Sequence, residues 1–185
     1  RPYTDIRPKP LFPVINQPLL HRLLGQLQAC DCWPILVNCH HLAAQIENAL
    51  APWPGVLIQH EVEILGTGGA LRKALDSMDN DPVLVMNGDL YHDIDLEWVF
   101  HQHLLSKNDV TLALHDHPRF NTVGVEGDRV RGFGGGAGEQ LAFTGIHVVD
   151  PEVIEQIPAG GFHHIIDLYQ QLAVEGRVGY CRVDG

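Results

Sequence analysis

The chain has 185 residues, a formal net charge of −11 and 45% apolar residues, which suits one domain with a substantial core. The acidic balance argues against nucleic acid as the main partner, because a phosphate backbone calls for a basic footprint, and no apolar run approaches the length of a membrane span. Anionic small molecules stay open, since they need only a local cluster of donors, and Arg1, Arg7 and Lys9 place three of the twelve basic residues in the first nine positions.

In the opening stretch RPYTDIRPKPLFPVINQPLL, Pro8 and Pro10 flank Lys9 and restrict the backbone that carries its ammonium group. Pro18 is placed to begin a helix through Leu19, Leu23, Leu24 and Leu27, apolar positions three or four apart. PILVN (34–38), GVLIQH (55–60), PVLVMNGD (82–89) and DVTLALHD (109–116) are short aliphatic or β-branched runs that predict buried strands. Helical patterns lie between them over 41–50, 69–77 and 95–106. This alternation predicts an α/β fold with a largely parallel sheet, in which ligands gather beyond the carboxyl ends of the strands.

Further on, VGVEGDRVRGFGGGAGEQLAFTGIHVVDP predicts hairpin strands joined by a glycine-rich turn, then a strand and a helix from Pro151. A last helix over about 164–175 leads to the strand RVGYCRVDG. No internal repeat or linker interrupts the chain, so residues 1–185 are expected to form a single domain.

Cys30, Cys32, Cys39 and Cys181 do not make a disulfide framework, which makes a reducing cytoplasm the expected location. The first three with His40 could make a zinc site, but CDC has the wrong spacing and no second pair follows; buried free thiols are the expectation. The twelve histidines, including His101 with His103 and His115 with His117, are expected to be solvated or internally satisfied.

Two stretches lie where the strand-end rule points. In HEVEILGTGGALRKAL, Gly66, Gly68 and Gly69 remove side chains where a strand turns into a helix, so backbone amides can approach a ligand; a tight turn before a helix explains them equally well. The spacing matches neither the Walker pattern nor the dinucleotide fingerprint. In VLVMNGDLYHD an apolar strand ends in Asn87-Gly88-Asp89, leaving a carboxylate able to hold a hard cation such as Mg²⁺. DID at 93–95 looks like the metal signature of many glycosyltransferases, but Asp95 is better placed to cap a helix beginning at Leu96.

Taken in order, RPYTDIRPKPLFPVINQPLL, EVEILGTGGALRKAL, VLVMNGDL and LAFTGIHVVDPEV resemble the sugar-1-phosphate nucleotidylyltransferases. Their spacing is similar to the bacterial branch that makes UDP-N-acetylmuramic acid, GDP-mannose or GDP-heptose. The resemblance implies a Rossmann-like mixed, mostly parallel sheet flanked by helices, and a Mg²⁺-dependent reaction between a nucleoside triphosphate and a sugar 1-phosphate that releases pyrophosphate. It implies that Lys9 contacts the phosphates, that Asp89 binds the metal, and that Gly66, Thr67 and Gly68 surround the base. Glu61 would face the base; a carboxylate is an acceptor only and suits guanine better than uracil. Asn121, Thr144 and Gly145 would line the sugar side.

The resemblance also implies a glycine-rich phosphate loop and its strand before Arg1, a second metal aspartate after Gly185, and a lysine near the sugar phosphate for which Arg131 is the available substitute. Two other readings stand at this point. One is a metal-dependent glycosyltransferase using Asp93 and Asp95. The other is a non-catalytic nucleotide-sensing module.

Overall fold

The computed structural model describes residues 2–184, so Arg1 of the basic opening and Gly185 lie outside the described residues. The chain divides into two compact units, the first made of residues 1–65 with 87–91 and the second of 66–86 with 92–185.

In the first unit the short strands β1 (Pro13–Val14) and β2 (Gln17–Pro18) pair antiparallel and lead into helix α1 (Leu19–Ala29). Strand β3 (Ile35–Cys39), helix α2 (Ala43–Leu50) and strand β4 (Val56–His60) follow, with β3 and β4 parallel and Asn38 paired with Gln59. The leucine spacing in α1 aims Leu20 and Leu24 at Ile35, Cys39, Ile46 and Leu50, which together form the core of this unit. One face of the β3–β4 pair supplies that core. The alternating positions Leu36, Asn38, Leu57 and Gln59 belong to the other face.

The second unit holds α3 (Gly66–Ala74), β5 (Val83–Met86), α4 (Leu96–Leu105), β6 (Val110–His115), β7 (Val123–Glu126), β8 (Arg129–Phe133), β9 (Glu139–Val149), α5 (Pro151–Ile154), α6 (Ile165–Val174) and β10 (Val178–Arg182). Its six strands run in the order β5-β9-β6-β10-β8-β7, and a further β9–β7 pairing closes β9, β6, β10, β8 and β7 into a ring. The eleven-residue β9 makes this possible. Its first residues, Glu139–Leu141, pair with β7, and its last, Ile146–Val149, pair with β5. Between those segments the register against β6 shifts, and such bulges bend a strand.

The expected largely parallel sheet is corrected by these pairings. β3–β4 and β6–β10 are parallel, whereas β5–β9, β6–β9, β7–β8, β7–β9 and β8–β10 are antiparallel. Connection length accounts for one of the antiparallel pairs. Gly127 and Asp128 alone join β7 to β8, and so tight a link reverses the chain, whereas the parallel β6–β10 pair has α5 and α6 between its strands. The glycine run 134–138 does not close that hairpin; it carries the chain from β8 to β9.

The apolar core of the second unit gathers Leu112 and Leu114 of β6, Val130 of β8, Leu141 of β9 and Tyr169 and Leu172 of α6. Helix α4 is pinned through His103, which is buried. Its Nδ1 lies 2.9 Å from the Thr111 hydroxyl and its Nε2 lies 3.0 Å from an Asp150 carboxylate oxygen. His103 is thus internally satisfied, as expected, whereas the buried His147 departs from that expectation, with neither ring nitrogen partnered among the described residues.

Candidate active site

Lys9 sits in a 3-10 turn (Lys9–Leu11) that begins after the extended Pro8 and holds Pro10 in its first positions. The turn is closed by Leu11 N donating to Pro8 O at 3.0 Å and Phe12 N donating to Lys9 O at 3.0 Å. The ring constraints place the Lys9 backbone, and its ammonium donates to Asp89 Oδ2 at 3.2 Å. Asp89 lies in the turn that follows β5 in sequence, with Leu90 N donating to Asn87 O at 3.4 Å. The residue expected to meet phosphate and the residue expected to bind metal are therefore partners. Gly88 is less demanding than its place suggests, because a Cβ there would meet Pro10 at an ordinary 3.5 Å.

Asp89 offers hard oxygen donors, and its Oδ2 is paired with the Lys9 ammonium. Among the described residues no three His, Cys, Asp or Glu side chains converge. A single carboxylate fits Mg²⁺ that is completed by water and substrate phosphates, which is how Mg²⁺ is commonly held.

Glu61, 9% exposed, follows β4 and is held at both carboxylate oxygens and at its backbone. Its Oε1 accepts from Asn38 Nδ2 at 2.8 Å and its Oε2 from Leu65 N at 3.1 Å. Its backbone N donates to Cys39 O at 2.9 Å, and its carbonyl lies 2.9 Å from His40 Nδ1. Glu61 thus closes the stretch 61–65 into a defined loop.

In the second unit, Gly66 and Gly68 have a partner that sequence reasoning missed. A Cβ at Gly66 would lie 2.7 Å from the His163 carbonyl oxygen, and one at Gly68 would lie 2.9 Å from the same atom. That carbonyl accepts from Gly68 N at 2.9 Å and Gly69 N at 3.4 Å, capping the first turn of α3. Gly66 also has φ of +68°, which a side chain rarely adopts. The close approach that the glycines permit is to the chain before α6, while Thr67 between them remains exposed.

Asn121 closes its own loop, accepting from His117 N at 2.8 Å and donating to Asp116 Oδ1 at 2.8 Å. Thr144 and Gly145 form the bulge of β9. The Thr144 hydroxyl donates to Ala113 O at 2.8 Å and accepts from Ile146 N at 3.1 Å, and Gly145 supplies φ of +87°. These bonds repair the ladder where the register shifts. Arg131 is paired with Glu126, Nε to Oε2 at 2.9 Å.

Asp95 caps α4, its carboxylate accepting from Trp98 N at 2.9 Å. That bond commits one carboxylate of the DID stretch to the helix terminus. No helix among the described residues is long and apolar enough to cross a membrane.

A profile of the MobA-like NTP transferase domain matches residues 5–131. The chain is 32% identical over 132 residues to D-glycero-alpha-D-manno-heptose 1-phosphate guanylyltransferase of Aneurinibacillus thermoaerophilus, a match covering 68% of the chain and 57% of that relative. It is 34% identical over 171 residues to N-acetylmuramate alpha-1-phosphate uridylyltransferase of Neisseria meningitidis serogroup B, covering 86% of the chain and 74% of that relative. The crystal structure of HddC from Yersinia pseudotuberculosis complexed with GMP-PN shares the fold, with a TM-score of 0.76 at 19% identity, over 96% of this chain and 81% of that one.

Proposed function

The chain belongs to the MobA-like NTP transferase family and, within it, to the sugar-1-phosphate nucleotidylyltransferases, and we propose that it joins a nucleoside triphosphate to a sugar 1-phosphate, giving an NDP-sugar and pyrophosphate. The observation that carries this is the 3.2 Å pairing of Lys9 with Asp89. It unites the two groups that a phosphoryl-transfer site needs most, a fixed cation and a carboxylate for the metal.

In the reaction, an oxygen of the sugar phosphate attacks the α-phosphorus in line. The new P–O bond forms as the bond to the β-phosphate oxygen breaks, and pyrophosphate leaves with that electron pair. Lys9 offsets charge on the phosphates from a backbone restrained by Pro8 and Pro10. Asp89 would hold Mg²⁺, which neutralises phosphate charge when bound. Most of the rate gain in such chemistry comes from positioning and electrostatics.

We assign the base to Glu61, Gly66, Thr67 and Gly68, with Glu61 as the reading group and the two glycines contributing only backbone shape, since their close approach is to the His163 carbonyl. An acceptor-only carboxylate favours guanine, so GTP is the proposed donor. Asn121, Thr144 and Gly145 are assigned to the sugar side as shaped backbone, since their side chains are committed to a loop and a bulge. The parallel β3–β4 pair with its helices is the Rossmann-like part of a single nucleotidyltransferase domain, and a cytoplasmic location suits such an enzyme. Pyrophosphate release from GTP or UTP with mannose, heptose or N-acetylmuramate 1-phosphate tests this. Its absence with every pair would refute it.

A further inference from the structure

Asn38 and Gln59 are register partners on the parallel strands β3 and β4, and their amides form a relay in one direction. Gln59 Nε2 donates to Asn38 Oδ1 at 3.1 Å, and Asn38 Nδ2 donates to Glu61 Oε1 at 2.8 Å. A side-chain amide has one acceptor end and one donor end. With its acceptor end held by Gln59, Asn38 can only turn its donor end to Glu61. Leu65 N then holds the other carboxylate oxygen at 3.1 Å.

We propose that Asn38 is a specificity-determining positioning residue, which by fixing the plane of the Glu61 carboxylate makes the chain select guanine over uracil. The proposal rests on the assignment of Glu61 to the base made above.

The selection follows from lone-pair geometry. Each carboxylate oxygen accepts one internal bond, and because a carboxylate oxygen can accept two, each keeps one acceptor site that the base would use at this 9% exposed residue. Guanine offers two adjacent donors, N1–H and N2–H₂, to such a pair. Uracil offers one donor, N3–H, between two carbonyl oxygens. A carboxylate free to rotate could meet N3–H with one oxygen and swing the other clear of a uracil carbonyl. A carboxylate clamped at both oxygens cannot, so oxygen faces oxygen.

The test is calorimetric binding of GDP and UDP to the wild-type protein, Asn38→Asp and Asn38→Ala, with kcat/KM for GTP and UTP alongside. Asn38→Asp keeps the shape of the side chain, loses the donor and sets a second carboxylate against Glu61. If Asn38→Ala fails to fold, the isosteric variant still decides. Wild type should prefer GDP by at least about tenfold, and both variants should narrow that ratio by roughly ten- to a hundredfold, the scale of one charge-assisted hydrogen bond. A purely structural role would weaken both nucleotides alike and leave the ratio unchanged, which overturns the proposal. A wild type that binds UDP as well as GDP also overturns the clamp, while leaving nucleotidylyl transfer standing. Binding of neither nucleotide would instead overturn the base assignment on which the clamp rests.

Discussion

Lys9 Nζ lies 3.2 Å from Asp89 Oδ2, although 80 positions separate the two residues. Their side chains are 65% and 43% exposed, and exposed pairs of this kind add little to stability. The pairing therefore contributes little to folding, so removing Lys9 should be read in turnover and not in stability. Lys9→Ala should cut turnover by about 10²–10³-fold, while thermal denaturation stays close to wild type. Unchanged pyrophosphate release would remove Lys9 from the mechanism.

Two glycine substitutions should move stability in opposite directions. A Cβ at Gly68 would lie 2.9 Å from the His163 carbonyl, and backbone cannot move aside cheaply. Gly68→Ala should destabilise the protein by about 1–3 kcal/mol. Gly25, inside α1, has nothing within 4 Å of such a Cβ. Gly25→Ala should stabilise it by about 0.5–1 kcal/mol. Urea denaturation of both variants reads the contrast, and a loss at Gly25 as large as that at Gly68 would contradict the close approach.

Much of the fold was legible because its signals are local. β3 and β4 are aliphatic runs bounded by turn residues, and α4 starts where Asp95 caps it. Sheet direction was not legible, because β9 pairs with β5, β6 and β7 through contacts between distant parts of the chain. The same holds for the site. GTGG reads equally as a ligand loop or a tight turn, and only the fold shows that the His163 carbonyl accepts from two of its amides. Glu61 could be placed by its distance from Gly66, but Asn38 carries no local signal and becomes visible only through its strand pairing with Gln59. Lys9 and Asp89 were each legible in a motif; their partnership was not.

His147 supplies a pH dependence. It is 3% exposed, neither ring nitrogen has a hydrogen-bond partner among the described residues, and burial lowers its pKa from 6.5 to about 3. The unfolded chain takes up this proton near pH 6.5 while the native imidazole stays neutral to about pH 3. The contribution to stability is therefore full above pH 6.5 and is lost as pH falls toward 3. His147→Leu should flatten the decline by up to about 1.4 kcal/mol per pH unit between roughly pH 6 and 4. Chemical denaturation at several pH values measures it, and parallel curves for the two proteins would exclude His147 as the source.

Asp95 separates helix capping from metal binding. Its carboxylate accepts from Trp98 N at 2.9 Å. Asp95→Ala should cost about 0.5–2 kcal/mol of stability and leave the Mg²⁺ dependence of turnover unchanged. A raised Mg²⁺ requirement at unaltered stability would return the DID stretch to the metal site.

The most direct measurement is pyrophosphate release by the purified protein with GTP and mannose or heptose 1-phosphate, with and without Mg²⁺, beside Asp89→Asn. Nucleotidylyl transfer predicts Mg²⁺-dependent pyrophosphate in equal amount to a GDP-sugar, with activity collapsing in Asp89→Asn. Nucleotide binding without pyrophosphate, for these sugars and for UTP with N-acetylmuramate 1-phosphate, would contradict it.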